Sequence, residues 1–198
     1  MNKKKILLLL TVGFIALFGC AYAFYTFLSE KITPEQIIVQ ETASSETSAA
    51  KAAEQEEAPK IAAPDFTVYD LDGNEIHLTD YFGKPVIVNF WASWCGPCQM
   101  EMPDFQEKYL ELGEEIQFLM INMTDGSRET MTSASNFLAA HDYTFPVFYD
   151  TQSNAAITYQ AYSLPTTYFI DADGYAIAQA IGAINEETLQ RGIDMILK

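Results

Sequence analysis

The chain has 198 residues, 49% of them apolar, and carries 27 acidic against 11 basic side chains for a formal charge of −16. That balance argues against nucleic acid as a partner, because a polyanion would be repelled. The apolar content is ample for a domain with its own core, so the three cysteines are not needed as the staples of a small loop-rich fold.

Lys3-Lys4-Lys5 precedes an uncharged stretch from Ile6 to Leu28, long enough to cross a bilayer as a helix. The lysines belong on the cytoplasmic side, which places everything after Ser29 outside. The preferred reading is an uncleaved single-pass anchor in the cell membrane. Two alternatives stay open: a lipoprotein site, Leu17-Phe18-Gly19-Cys20, and release after Ala21-Tyr22-Ala23. From 29 to 62 the composition turns to Glu, Ala, Ser, Thr and Gln without an apolar face, which reads as a flexible tether reaching roughly 30 Å, with short helical turns near 49–57 at most. The folded domain is set at 63–198. Its 20 acidic and 5 basic side chains from Ile61 onward read as a solvated surface.

Within the domain, 66–69 and 75–77 flank Asp72-Gly73-Asn74 and predict an entry hairpin, with His77 on an edge strand. Val86 to Trp91 is a buried strand. A helix over 97–112 follows, closed by Gly113 and kinked at Pro103. Then come a strand at 116–123, a helix at 128–141 with Phe137 and Leu138 inward and His141 at its end, and a strand at 146–149. A short helix at 154–161, a hairpin of 166–170 and 175–181 across Asp171 to Gly174, and a helix at 186–197 close the chain. This order predicts an α/β domain: one central mixed sheet with helices on both faces and an N-terminal hairpin extension.

Trp94-Cys95-Gly96-Pro97-Cys98 falls at the joint between the 86–91 strand and its helix. Cys95 is thereby placed at a helix N-terminus, where unpaired backbone N–H groups favour a thiolate. Cys95 is the predicted nucleophile, and Cys98, one turn on, the thiol that resolves a mixed disulfide. Zinc would need further ligands; Cys20 lies in the apolar segment, His77 and His141 are far apart, and no metal or other cofactor is expected. A structural disulfide closing so small a loop would constrain little of the unfolded chain. Glu101, three residues after Cys98 on the same face, would be raised toward a working pKa by burial beside the thiol. Trp94, Pro97, Leu164 and Pro165 are expected to form an apolar rim around Cys95. Met100 and Met102 are assigned to core packing before rim extension.

Trp94-Cys95-Gly96-Pro97-Cys98, the extension Cys98-x-x-Glu101-x-Pro103, Leu164-Pro165-Thr166 and Phe169-Ile170-Asp171 to Gly174 together resemble the thioredoxin-like fold, and more narrowly the TlpA/ResA-type extracytoplasmic thiol-disulfide oxidoreductases, from about Ala63 to the C-terminus. The resemblance implies a cis Pro165 facing the dithiol beside the substrate-pairing backbone, and a proton-accepting role for Glu101 toward Cys98. Thioredoxins usually carry a buried aspartate where this chain has Asn89, and an amide cannot titrate. The resemblance also implies partners: disulfide-bearing or oxidised extracytoplasmic proteins, as in cytochrome c maturation or repair of oxidised surface proteins, and a membrane thiol donor of electrons. A monomeric reductase is the first expectation. A disulfide-forming oxidase or isomerase uses the same dithiol, and a protein-binding module with a vestigial dithiol is the alternative of another class.

Overall fold

In the computed structural model, residues 60–198 and the backbone of Ile37–Ile38 are described; the 1–28 segment with Cys20 and the turns considered near 49–57 lie outside the described residues. Among the described residues, none of the helices is long and apolar enough to cross a membrane. The strands are β1 (Ile37–Ile38), β2 (Ile61–Ala62), β3 (Thr67–Tyr69), β4 (Glu75–His77), β5 (Val86–Trp91), β6 (Gln117–Asn122), β7 (Val147–Tyr149), β8 (Thr166–Ile170) and β9 (Tyr175–Ile181). The helices are α1 (Gly96–Leu112), α2 (Met131–Ala140), α3 (Asn154–Thr158) and α4 (Glu186–Ile196), with a 3-10 turn at Leu78–Tyr81.

All strands join one mixed sheet in the order β1-β9-β8-β5-β6-β7-β3-β4, with β2 also paired to β9. Strand β5 is its centre: all six residues are buried, parallel to β6 on one side and antiparallel to β8 on the other. Its Val, Ile, Phe and Trp side chains suit a strand covered on both faces. Alternation sends Ile87 and Trp91 to one face, where they meet Cys98, Met102 and Phe105 of α1, Ala134 of α2 and Leu189, Ile193 and Ile196 of α4. Val86, Val88 and Phe90 go to the other, against Phe66, Val68, Leu78 and Ala155. Each such large apolar side chain contributes roughly 1.5–3 kcal/mol on burial. The expected thioredoxin-like architecture, a mixed sheet with helices on both faces and an entry hairpin, is what forms.

Several boundaries differ from expectation for local reasons. Two short strands, β1 and β2, fall within the stretch read as a tether and pair antiparallel with β9. Helix α1 starts one residue earlier than expected, at Gly96, and keeps Pro103 within it on its exposed side, where water can satisfy the freed Gln99 carbonyl. Helix α2 starts at Met131, not at Arg128. The Thr130 side chain accepts from Ser133 N at 3.0 Å, and Asp125 Oδ1 accepts from Ser127 N and Glu129 N, so 125–129 is spent on a turn. Phe137 and Leu138 are only partly buried, while Ala134 is fully so. His77 does stand on the edge strand β4, 3.4 Å from Asp65, and His141 caps α2.

Gly192 of α4 shows how tightly the helix lies on the sheet. A Cβ there would overlap the ring of Phe169, which is itself fully buried. Gly192→Ala is therefore expected to destabilise the domain by about 1–3 kcal/mol, read as a lowered urea midpoint at unchanged m-value. An unshifted midpoint would mean that α4 can lift without loss.

Candidate active site

The site begins where β5 ends. Cys95 is the N-cap of α1 with extended backbone (φ −82°, ψ 104°), Gly96 and Pro97 form the first turn, and Cys98 follows. Proline is tolerated there because a first-turn N–H has no intrahelical partner. Cys95 and Cys98 are joined as a disulfide with their Cα atoms 5.3 Å apart, and Cys95 Sγ also accepts from Cys98 N at 3.2 Å. A charge developing on Cys95 would therefore meet a helix N-terminus and a donor aimed at it.

The two sulfurs are not equivalent. A groove of about 490 Å³ opens beside Cys95, walled by Trp94, Pro97, Met123, Tyr162 and Leu164; Cys98 does not line it and is fully buried. Access from the groove is therefore to Cys95 and not to Cys98. Trp94 and Pro97 are exposed and Leu164 is partly buried, whereas Pro165 is buried and does not line the groove, so the rim expected of four residues is formed by three; the Leu164-Pro165 bond is cis. Pro165 has no N–H, and its carbonyl accepts from Gly182 N at 2.8 Å. The two methionines part company: Met102 is core, but Met100 is 69% exposed, because position 100 of α1 turns away from the sheet. The core assignment for Met100 is thus corrected.

Glu101 sits one helical turn below Cys98 and is 1% exposed. Its Oε1 accepts from Asn89 Nδ2 at 2.8 Å and its Oε2 from Ile184 N at 2.9 Å. Asn89 Nδ2 also donates to Thr167 Oγ1 at 3.0 Å, and Asn89 Oδ1 is left without a partner. Burial pushes the Glu101 carboxyl up to about 8, against the two hydrogen bonds that favour its charged form. That value lies in the ordinary range of a free thiol rather than of a carboxylate.

Other residues of the site carry no motif. Glu129, fully buried, accepts from Ser93 N at 3.0 Å, Ser93 Oγ at 2.7 Å and Asn122 Nδ2 at 2.7 Å. Arg128 lays its guanidinium 3.5 Å from the centre of the Trp94 ring. Asp125 is held below the ordinary carboxylate range, chiefly by the Glu129 N–H and then that of Ser127. The Asp125-Gly126 pair was the sequence signal for this turn, since both residues favour loops over helix starts. Tyr162, 81% exposed on the groove wall, had no signal at all. Among the described residues, no group of three or more His, Cys, Asp or Glu is placed to hold a metal ion.

Residues 59–178 match the AhpC/TSA family. The thiol-disulfide oxidoreductase ResA of Bacillus cereus is 40% identical over 131 residues, which cover 65% of this chain and 72% of that protein. Among solved structures, a thiol:disulfide interchange protein DsbE from Chlorobium tepidum superposes with a TM-score of 0.63 at 28% identity, over 70% of this chain and 97% of that one. The pneumococcal exposed lipoprotein thioredoxin Etrx1 of Streptococcus pneumoniae does so with a TM-score of 0.57 at 31% identity, over 66% and 99%.

Proposed function

The chain belongs to the AhpC/TSA family and, within it, to the ResA-type thiol-disulfide oxidoreductases, and on that basis we propose that it works outside the cytoplasmic membrane as a reductant of disulfides in partner proteins. The observation that carries the direction of electron flow is the buried Glu101 carboxyl one turn behind Cys98. An oxidant of this fold needs its reduced form favoured, through a strongly stabilised thiolate. Glu101 brings no cation to the dithiol: its carboxyl is neutral through pH 7 and becomes an anion only as pH rises past about 8, and acidic residues far outnumber basic ones in the domain, so these surroundings do not favour a strongly stabilised thiolate.

The reaction runs in two displacements. Cys95 thiolate attacks one sulfur of the partner's disulfide, forming a mixed disulfide and expelling the other sulfur as a thiolate. Cys98 then gives its proton to Glu101 and attacks Cys95 Sγ, releasing the second partner thiolate. Two electrons pass to the partner, whose thiolates take protons from solvent, and the Cys95–Cys98 disulfide remains. A membrane thiol carrier reverses the sequence, with Glu101 returning its proton to Cys98. Trp94, Pro97 and Leu164 supply apolar contact for the partner. Retention at the membrane through residues 6–28 belongs to the same reading, with acylation at Cys20 or release as its alternatives.

Equilibrating the detergent-solubilised full chain with thiol redox buffers tests the direction. A potential at or below about −230 mV is expected, and a value near about −120 mV would instead make the protein a disulfide-forming oxidant.

A further inference from the structure

The loop that carries Cys95 is gripped by a turn with one charge on each side of it. Ser93, two residues before Cys95, gives both its N–H and its hydroxyl to Glu129, while its carbonyl accepts from Gln99 Nε2 at 2.6 Å. Cys95 N in turn bonds Ala92 O at 3.1 Å. Glu129 is fully buried and, among the described residues, has no cation within ion-pair distance. Its carboxylate is answered only by dipoles, Ser93 on one side and Asn122 on the other. With dipoles but no counter-ion beside it, a charge in such a place is weakly screened and its field reaches into the surrounding protein. On the outer side of the same loop, the adjacent residue Arg128 covers Trp94, which immediately precedes Cys95.

We infer that the 125–129 turn sets the thiolate chemistry of Cys95, with Glu129 as a buried anion that disfavours the thiolate and Arg128 as an exposed cation that favours it. Both are positioning residues; neither touches the reacting sulfurs. Two residues of chain span at most about 7 Å between Cα atoms, and the carboxylate is bonded directly to Ser93, so the Glu129 charge lies on the order of 10 Å from Cys95, near enough to act through a poorly screened interior. Asp125 also lines the groove beside Cys95, with its Oδ1 occupied by the backbone N–H groups of Ser127 and Glu129, while Glu101, one turn beyond Cys98, is neutral until pH approaches about 8. The consequence is a dithiol kept reducing from inside the fold. The inference rests on Cys95 being the attacking thiol.

Glu129→Gln is close to a pure charge deletion. The amide oxygen keeps the bonds from Ser93 N and Asn122 Nδ2, and the amide nitrogen donates to Ser93 Oγ, whose hydroxyl can accept as well as donate. The thiol pKa values, from the pH dependence of alkylation, and the dithiol–disulfide equilibrium above neutral pH are measured on the full chain. Glu129→Gln is expected to lower the Cys95 pKa and shift the equilibrium toward the dithiol by several-fold to about tenfold, tenfold being about 30 mV. Arg128→Gln is expected to shift both in the opposite direction. Structural damage would move the two variants the same way, so shifts of one sign, or none beyond twofold, overturn the inference. Should Glu129→Gln fail to fold, Arg128→Gln still decides: an unchanged or lowered Cys95 pKa overturns it. If alkylation shows Cys98 to be the reactive thiol, the assignment of roles to the two cysteines falls instead.

Discussion

Glu101→Gln is expected to leave the protein more stable than the wild type in alkali and less stable in acid. In the folded chain the Glu101 carboxyl is pushed up to about 8 by burial, from an ordinary 4.5 in the unfolded chain. A folded-state pKa above the unfolded one means that the folded state holds the proton more tightly. Stability from this group is therefore fully present below pH 4.5, declines as pH rises toward 8, and is gone above it. At 1.36 kcal/mol per pKa unit, the wild type loses about 4 to 5 kcal/mol across that window, and a glutamine, which does not titrate, loses none of it. Against this stands a pH-independent loss of about 1–3 kcal/mol. Two donors, Asn89 Nδ2 and Ile184 N, point at the carboxyl, and an amide has one oxygen to meet them. Turning the Asn89 amide, so that its unpartnered Oδ1 accepts from the new NH2, would reduce that loss. Urea denaturation at pH 5 and pH 9 should show the two stability curves crossing. Parallel curves would mean that Glu101 is not held neutral by the fold. The same variant is expected to slow turnover about 10²-fold or more, since Cys98 loses its proton acceptor.

Cys98→Ser is expected to abolish turnover while leaving the first displacement intact. Cys95 stays at the groove and at the helix N-terminus, so it still attacks, but nothing behind it can release the adduct. Covalent mixed disulfides should accumulate, visible as partner proteins that leave the chain only on reduction. Cys95→Ser should yield no adducts. Turnover should fall by about 10³-fold or more in both, and to a similar level, because two groups that act as one unit do not contribute additively. Adducts forming on Cys98 in Cys95→Ser, at the wild-type rate, would contradict the burial of Cys98 as the reason for its role. The trapped partners would also identify the physiological substrates directly.

What could be read from the residues alone shares one property: its signal is local. The β-branched and aromatic run at β5, the proline just inside the start of α1, the two cysteines one turn apart and Glu101 a further turn on all lie within sixteen residues of each other, inside 86–101. Short-range sterics and helical periodicity are enough to place them. The hairpin at 66–77 and the pair β8–β9 across Asp171 to Gly174 were legible for the same reason. Where local signals misled, a longer-range contact had won. Arg128 and Glu129 are good helix formers, but the Asp125 carboxylate gathers the backbone N–H groups that a helix would have used, and Glu129 is taken by Ser93, 36 positions away. Strands of two residues such as β1 and β2 have no periodicity to read; the β9 edge decides them.

By itself, then, the sequence determined the chemistry: a dithiol at a helix start, a carboxyl in step with it, and a sheet to carry both. Only the tertiary structure decided which sulfur meets the groove, that Asn89 and Ile184 together hold Glu101, and that Glu129 and Arg128 flank the loop. Burial and electrostatic environment depend on what distant segments bring together, and pKa values and access follow from those rather than from spacing along the chain.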